Sequence, residues 1–505
     1  MSTASVIGLI IFSVFFTSYA WGMRGTTIGG EKGAMLPGAV IGLALACFSD
    51  ILIVKENFFV FAALGSCGMY FGGSMTYGET LSISMSKRPA ENMKKGLTAL
   101  FVKGFGWFGA FGGIFSVGTL AVSGQFKLYE VICIAAALPA SMLLFYFIFN
   151  RPYKPRENIF PKIYFSYTRP ESWGALIGLF LMCLITVILK KSFFGIIFTV
   201  FCAFGGAFGW VAAQLLQVFI KHYAFDCKFK PLQLLSEKRG AESWKAMECT
   251  LGAFGGLFAA LGFIVGYNDF YKLAGKIEIN GGIYAISNNL SDILMIVWLV
   301  LIAIDLVHFF VKPPKEEEEL KRDLLNGKIN QIQYEEAIAG GARHSKAFNI
   351  YQTVVEGTES SLYAAIPFII ICLGSLKTAS LVSFFLIAFV VIQEVALEKE
   401  PYPKAALPLK IIYMVVAASV FVVNMLFEPS AAAAFILYAV FYELTALYFI
   451  IPRIVKSITE KMTADGEKFI KSTAVFKEMI KNKGFMSVHG YFVLCILISA
   501  FVLLR

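Results

Sequence analysis

Runs of apolar residues, most near the roughly 20 that a helix needs to cross a bilayer, recur along the chain. They fall at 5–20, 34–54, 57–82, 97–122, 128–149, 172–189, 193–218, 246–268, 292–311, 361–376, 379–397, 411–427, 431–451 and 490–504. Polar and charged residues gather in the segments between them. The pattern predicts an all-α polytopic membrane protein with about 14 transmembrane helices. The first run, Ser5 to Ala20, has no Lys or Arg before it. A secretory signal needs a positive leading region, so this run reads as a membrane helix.

Charge placement tests the pattern, because cytoplasmic loops of membrane proteins are enriched in Lys and Arg. With the N-terminus outside, the inner segments are 21–33, 83–96, 150–171, 219–245, 312–360, 398–410 and 452–489. They hold 2, 4, 5, 6, 7, 3 and 8 Lys and Arg respectively, against eight for all outer segments together. The net charge of +10 is therefore read as topology, and no nucleic-acid partner is expected. Composition agrees: 58% of residues are hydrophobic and 15% charged, with mean hydropathy +0.71. Soluble domains carry about a quarter charged residues. The expected location is a cell membrane, plasma or bacterial inner.

Nine cysteines include no C-x-x-C pair, and four histidines are scattered. Neither a disulfide framework nor a metal site is indicated, and no cofactor is expected. The implied partners are membrane lipids and a small-molecule solute.

Short motifs recur in order. Gly38-Ala-Val-Ile-Gly-Leu43 returns as Gly174-Ala-Leu-Ile-Gly-Leu179, Phe71-Gly-Gly-Ser-Met-Thr-Tyr77 resembles Phe204-Gly-Gly-Ala-Phe-Gly-Trp210, and Gly109-Ala-Phe-Gly-Gly-Ile-Phe115 resembles Gly252-Ala-Phe-Gly-Gly-Leu-Phe258. This predicts a parallel 4+4 helix internal repeat, an arrangement seen in transporters. The resulting division is 1–33, a first helix and Gly-rich inner hairpin; 34–150, repeat unit A; 171–312, repeat unit B; 313–358, a cytoplasmic helical connector turning at Gly327; and 359–505, a C-terminal five-helix membrane part. Within the last, 453–485 alternates Lys with Ile, Phe and Met and reads as an inner amphipathic segment. A protein partner is admitted through 313–358 or 453–485. Gly38/Gly42, Gly109/Gly113, Gly205/Gly209, Gly252/Gly256 and Gly262/Gly266 have the small-xxx-small spacing that lets membrane helices approach closely, and packing is their expected role.

Ionisable residues inside hydrocarbon are functional candidates, because an unpaired charge there costs several kcal/mol. Lys103 and Glu248 fall at nearly equivalent repeat positions and are expected to pair across the repeat interface. Glu79, Tyr77, Trp107 and Trp210 lie close by in the pattern. The hairpin around Arg24, Glu31 and Lys32 offers free backbone N–H groups and two cations to an anion. These nine residues form the candidate substrate site. Glu248, Asp305 and Glu443 are candidates for ion coupling, since burial suits a carboxylate to reversible protonation or Na⁺ binding. Glu171 is set aside, because Thr168-Arg-Pro-Glu171 fits a helix capping box.

The expected function is a secondary transporter of a small polar or anionic solute, H⁺ or Na⁺ coupled, with its site between the repeats. The alternatives are a membrane-embedded transferase acting on a lipid-linked or phosphate-bearing substrate at the inner face, and a non-catalytic subunit of a larger complex. No nucleophile-plus-base arrangement is visible, so the balance is against an enzyme.

Overall fold

The computed structural model describes residues 1–24, 30–73, 80–81, 89–154, 157–165, 171–239, 242–279 and 286–308, with shorter stretches between 320 and 386. Among these there is no β-strand. The principal helices are α1 (Thr3–Arg24), α2 (Gly30–Cys47), α3 (Leu52–Glu56), α4 (Phe58–Tyr70), α5 (Pro89–Val122), α6 (Leu128–Asn150), α7 (Trp173–Leu189), α8 (Phe193–Val218), α9 (Ser243–Ile279), α10 (Asn288–His308) and α11 (Tyr363–Leu373). All except the single turn α3 coincide with one of the first ten apolar runs. Five stretches, Thr3–Gly22, Asn92–Val122, Leu128–Asn150, Phe193–Asp226 and Ser243–Ile277, are long and apolar enough to cross a membrane.

Boundaries differ from the pattern where polar residues propagate a helix. α5 starts at Pro89, well before the apolar run at 97, and Pro is pre-organised for a first helical turn. α9 continues past 268 to Ile279. Within the run at 57–82, α4 occupies 13 residues and ends at Tyr70, with helix again at 80–81. Where the hairpin 21–33 was expected, α1 extends to Arg24 and α2 begins at Gly30. In the connector, Gly327 makes its turn in the left-handed region at φ 67°. The apolar runs from 411 onward and the segment 453–485 lie outside the described residues.

Six helices close a ring in the order α1, α2, α4, α5, α8, α9 and back to α1. α7 packs on the outside of α5, and α6 on the outside of α7. α11 rests against α4, α5 and α6, with α10 beside it. Lipid-facing surfaces are read from exposed apolar side chains: Leu143, Leu144 and Phe147 on α6, and Ile293, Ile296 and Val300 on α10. In water such faces would be costly, whereas in hydrocarbon they match their solvent.

Glycine sets how closely the ring helices approach. A Cβ on Gly42 would sit 2.0 Å from the Phe61 carbonyl oxygen, and one on Gly256 would sit 1.9 Å from that of Ser13. Gly109 and Gly113 face Phe180 and Cys183 on α7, while Gly205 and Gly209 face Phe258 and Phe254 on α9. Gly262 and Gly266 lie against Phe201 and Phe194 on α8. Every small-xxx-small pair picked out in the sequence is thus a helix seam. Between the seams the bore of the ring is filled by aromatic rings, including Phe111, Phe115 and Phe198.

A candidate functional site where three helix ends lie level

Register fixes the depth of the site. α7 runs parallel to α5, because Gly106 lies against Ile177, Gly109 against Phe180 and Gly113 against Cys183. Trp173, the first residue of α7, therefore stands near the level of Lys103, which lies about 21 Å along α5 from Pro89. α4 runs antiparallel to α5, with Leu64 against Gly118, Phe111 against Gly68 and Trp107 against Gly72. Its end at Tyr70 is thus close to Trp107. α2 pairs with α4 through Gly38 and Gly42, which puts Gly30 within about one or two turns of the same level. The start of α2, the end of α4 and the start of α7 thus lie near one level.

Chain length explains the shared level. At 1.5 Å per residue, α4 rises only about 20 Å, well short of a hydrocarbon core of roughly 30 Å. Its last carbonyls have no intrahelical partner. The Trp107 indole N–H donates to one of them, Met69 O, at 2.8 Å.

At this level Lys103 Nζ lies 2.6 Å from Glu171 Oε1, with the two side chains 0% and 4% exposed. The ammonium also donates to Thr80 Oγ1 at 2.5 Å and stands 5.9 Å from the centre of the Phe165 ring. Glu171 Oε2 accepts the Phe165 backbone N–H at 2.8 Å. Each charge therefore has a counter-charge and a further polar contact, which a buried ion pair needs to offset its desolvation.

The arrangement corrects two sequence expectations. Glu171 is not a capping residue: α7 begins at Trp173, and its N-cap Ser172 makes no side-chain cap bond. Nor does Lys103 pair with Glu248: its ammonium is engaged by Glu171. Glu248 instead pairs with Lys245 on its own helix at 2.8 Å, and Lys245 Nζ also donates to Gly22 O of α1 at 2.6 Å.

Trp107 and Trp210 are brought together, joined by Trp21 from α1. Ring centroids are 5.3 Å apart for Trp21–Trp107, 6.5 Å for Trp21–Trp210 and 6.4 Å for Trp107–Trp210. All three are buried and plug the ring beside the ion pair. Below Trp210 on α8, Gln214 Nε2 donates to Leu81 O at 3.4 Å. The fully buried Gln217 amide has no hydrogen-bond partner among the described residues. The side chains of Arg24, Glu31, Lys32 and Asp305, and the whole of Tyr77, Glu79 and Glu443, lie outside the described residues. Among those described, no three His, Cys, Asp or Glu cluster as metal ligands would.

Glu171, Trp21, Thr80 and Gln217 were missed in the sequence. One signal pointed to Glu171: an 18-residue run is barely long enough to span, so the residues before it are drawn towards the bilayer. The other three depend on which helices become neighbours.

The rim where α1 starts is tied by a separate set of contacts. Glu130 pairs with Lys190 at 2.6 Å, Asp269 accepts from the Phe194 N–H at 2.9 Å and the Ser192 hydroxyl at 3.1 Å, and the Tyr267 hydroxyl donates to Ser49 O at 2.7 Å. Asp50, in the turn that follows α2, accepts from the Ser2 N–H at 2.6 Å and the Ser5 hydroxyl at 2.5 Å. Partial burial alone would raise the Asp50 pKa, but these hydrogen bonds, with Lys55 nearby, hold its carboxyl below the usual range.

Fold and apolar surface have the make-up of a helical membrane protein that crosses its bilayer several times. Comparison with protein-family models, curated proteins and solved structures gives no match for this chain.

Proposed function

We propose that the chain is a secondary transporter of a small polar or anionic solute, coupled to H⁺ or Na⁺, in a cell membrane. The observation that carries this reading is the buried Lys103–Glu171 pair at the level where α2, α4 and α7 end. Interrupted helices that meet at depth are how transporters expose backbone dipoles to a solute, and a buried ion pair can be opened by a proton, a cation or an anion. Lys103 belongs to repeat unit A and Glu171 opens unit B, which supports a site between the units. The proposed topology has 14 spans with the N-terminus outside and a parallel 4+4 repeat. Helix packing is not duplicated, however: α2 and α4 form a tight seam, whereas α7 and α8 touch little.

In this reading Lys103 contacts the solute and Glu171 carries the coupling ion. Arg24, Glu31, Lys32, Tyr77 and Glu79 complete the solute site, with Glu248, Asp305 and Glu443 as further coupling carboxylates. Trp21, Trp107 and Trp210 close the path, and the tied rim near α1's start holds the outer end shut.

The test is counterflow in proteoliposomes holding the full chain, with a labelled panel of monocarboxylates, dicarboxylates, inorganic phosphate and hexoses. At least one solute should exchange, and exchange should fall at least tenfold in Lys103→Met and Glu171→Gln. Exchange of no solute, or equal exchange by both variants, overturns the proposal.

A further inference from the structure

Between α8 and α9 the chain runs through a π-turn at Phe219–Tyr223, a 3₁₀ turn at Ala224–Asp226, a short helical turn at Lys230–Gln233 and another 3₁₀ turn at Glu237–Arg239. Because the apolar stretch of α8 ends at Asp226 and α9 returns antiparallel beside it, this connector lies at the edge of the hydrocarbon. Its large apolar side chains are not tucked in: Phe229 is 61% and Leu234 64% exposed, with Tyr223 and Phe225 also exposed. Interleaved with them are Lys221, Lys228, Lys230, Lys238 and Arg239, all exposed. None has a carboxylate within ion-pair distance among the described residues. Glu237 is engaged by the Ser243 hydroxyl at 2.5 Å, which leaves Asp226 as the other acid of the segment.

The shelf is held in shape. Lys238 Nζ stands 4.4 Å and the Arg239 guanidinium 6.0 Å from the Phe225 ring centre, and Gln233 Nε2 donates to Cys227 O at 2.6 Å. Exposed aromatics beside unneutralised cations suit one environment: acyl chains beneath and phosphates above.

We propose that residues 219–239 form a binding surface for anionic phospholipid headgroups of the leaflet they face. The cations contact lipid phosphates while Phe229, Leu234 and their neighbours enter the acyl boundary. The inference is independent of the transport reading.

The test uses the full chain in nanodiscs of phosphatidylcholine with one-fifth phosphatidylglycerol, transferred to detergent and analysed for retained lipid by native mass spectrometry. At about 0.1 M salt, phosphatidylglycerol should be enriched over its bulk ratio by about fivefold or more, since a single cation near an anionic surface supplies that factor. Replacing Lys221, Lys228, Lys230, Lys238 and Arg239 together by Gln should bring enrichment close to one. Replacing Lys127, Lys154, Lys162, Lys191 and Lys272 by Gln should leave most of it. If the first variant does not fold, raising salt to 0.5 M on the unmodified chain must lower the enrichment, because exposed charges are screened. Four outcomes overturn the proposal: no enrichment in the unmodified chain, equal loss in both variants, insensitivity to salt, and displacement by millimolar inorganic phosphate, which would mark a small-anion site.

Discussion

Lys103→Met removes one charge from a pair that hydrocarbon cannot solvate, and the cost can be bounded from the geometry. At 2.6 Å and an effective dielectric of about 20, the gross Coulomb attraction is about 6 kcal/mol. Desolvation of two ions offsets most of it, so the pair adds little net stability. A lone survivor is different: Glu171 without its partner should cost about 3–5 kcal/mol. Glu171→Gln, which takes the carboxylate away from the buried ammonium, should cost a similar amount. The double variant Lys103→Met/Glu171→Gln strands no charge, and the amide oxygen it introduces can still accept the Phe165 N–H. Its loss should be within about 2 kcal/mol of the unmodified chain. The double-mutant cycle therefore predicts a coupling of at least about 4 kcal/mol. Reversible unfolding in mixed micelles, followed by tryptophan fluorescence, gives the four free energies. Losses that add to within about 0.5 kcal/mol, as for independent sites, would refute a direct Lys103–Glu171 interaction.

Gly256→Ala places a methyl 1.9 Å from the Ser13 carbonyl oxygen and should lower the melting temperature, at an overpacking cost of about 1–3 kcal/mol. Gly275→Ala, with nothing within 4 Å of its Cβ, should instead raise stability by up to about 1 kcal/mol through helix propensity. Trp107→Phe keeps an aromatic ring but deprives Met69 O of its donor, and should cost about 1–2 kcal/mol in the same unfolding assay. The depressed pKa of Asp50 means the folded state favours its ionised form. That contribution is complete above the unfolded value of about 3.9 and disappears as pH falls through the lower folded value. Between pH 5 and 3 the unmodified chain should therefore lose more stability than Asp50→Asn. A parallel decline in both would exclude Asp50 as the source.

Ten helices and their seams were legible because they rest on local signals. Hydrocarbon demands continuous apolar length, and close approach demands glycine at one-turn spacing, both visible in α5 and α9. Partnership was not legible. Lys103 was singled out as a charge within an apolar helix, where it is buried, but its partner follows from α7 running parallel to α5 and starting level with it, which no local pattern encodes. Glu171 lay behind a motif that fits capping equally well. Glu248 was legible as an unusual carboxylate, yet Lys245, one turn away, was already available to neutralise it. Trp21 was visible only as the lead-in to a glycine-rich turn, because its meeting with Trp107 and Trp210 needs three helices that are distant in sequence.

Closure of the ring by α1 against α9 carries a consequence for biosynthesis. Gly22 O and Lys245 Nζ, which meet in that seam, are 223 residues apart in the chain. At 5–20 residues per second, the ribosome needs roughly 10–45 s to supply the second after the first. Throughout that interval the Ser13 and Thr17 face of α1, which later lies on Gly252 and Gly256, has no permanent neighbour. α1 can settle on α2 early, but this second face completes its seat only when α9 emerges, and until then the nascent chain must hold it in lipid or against the insertion machinery.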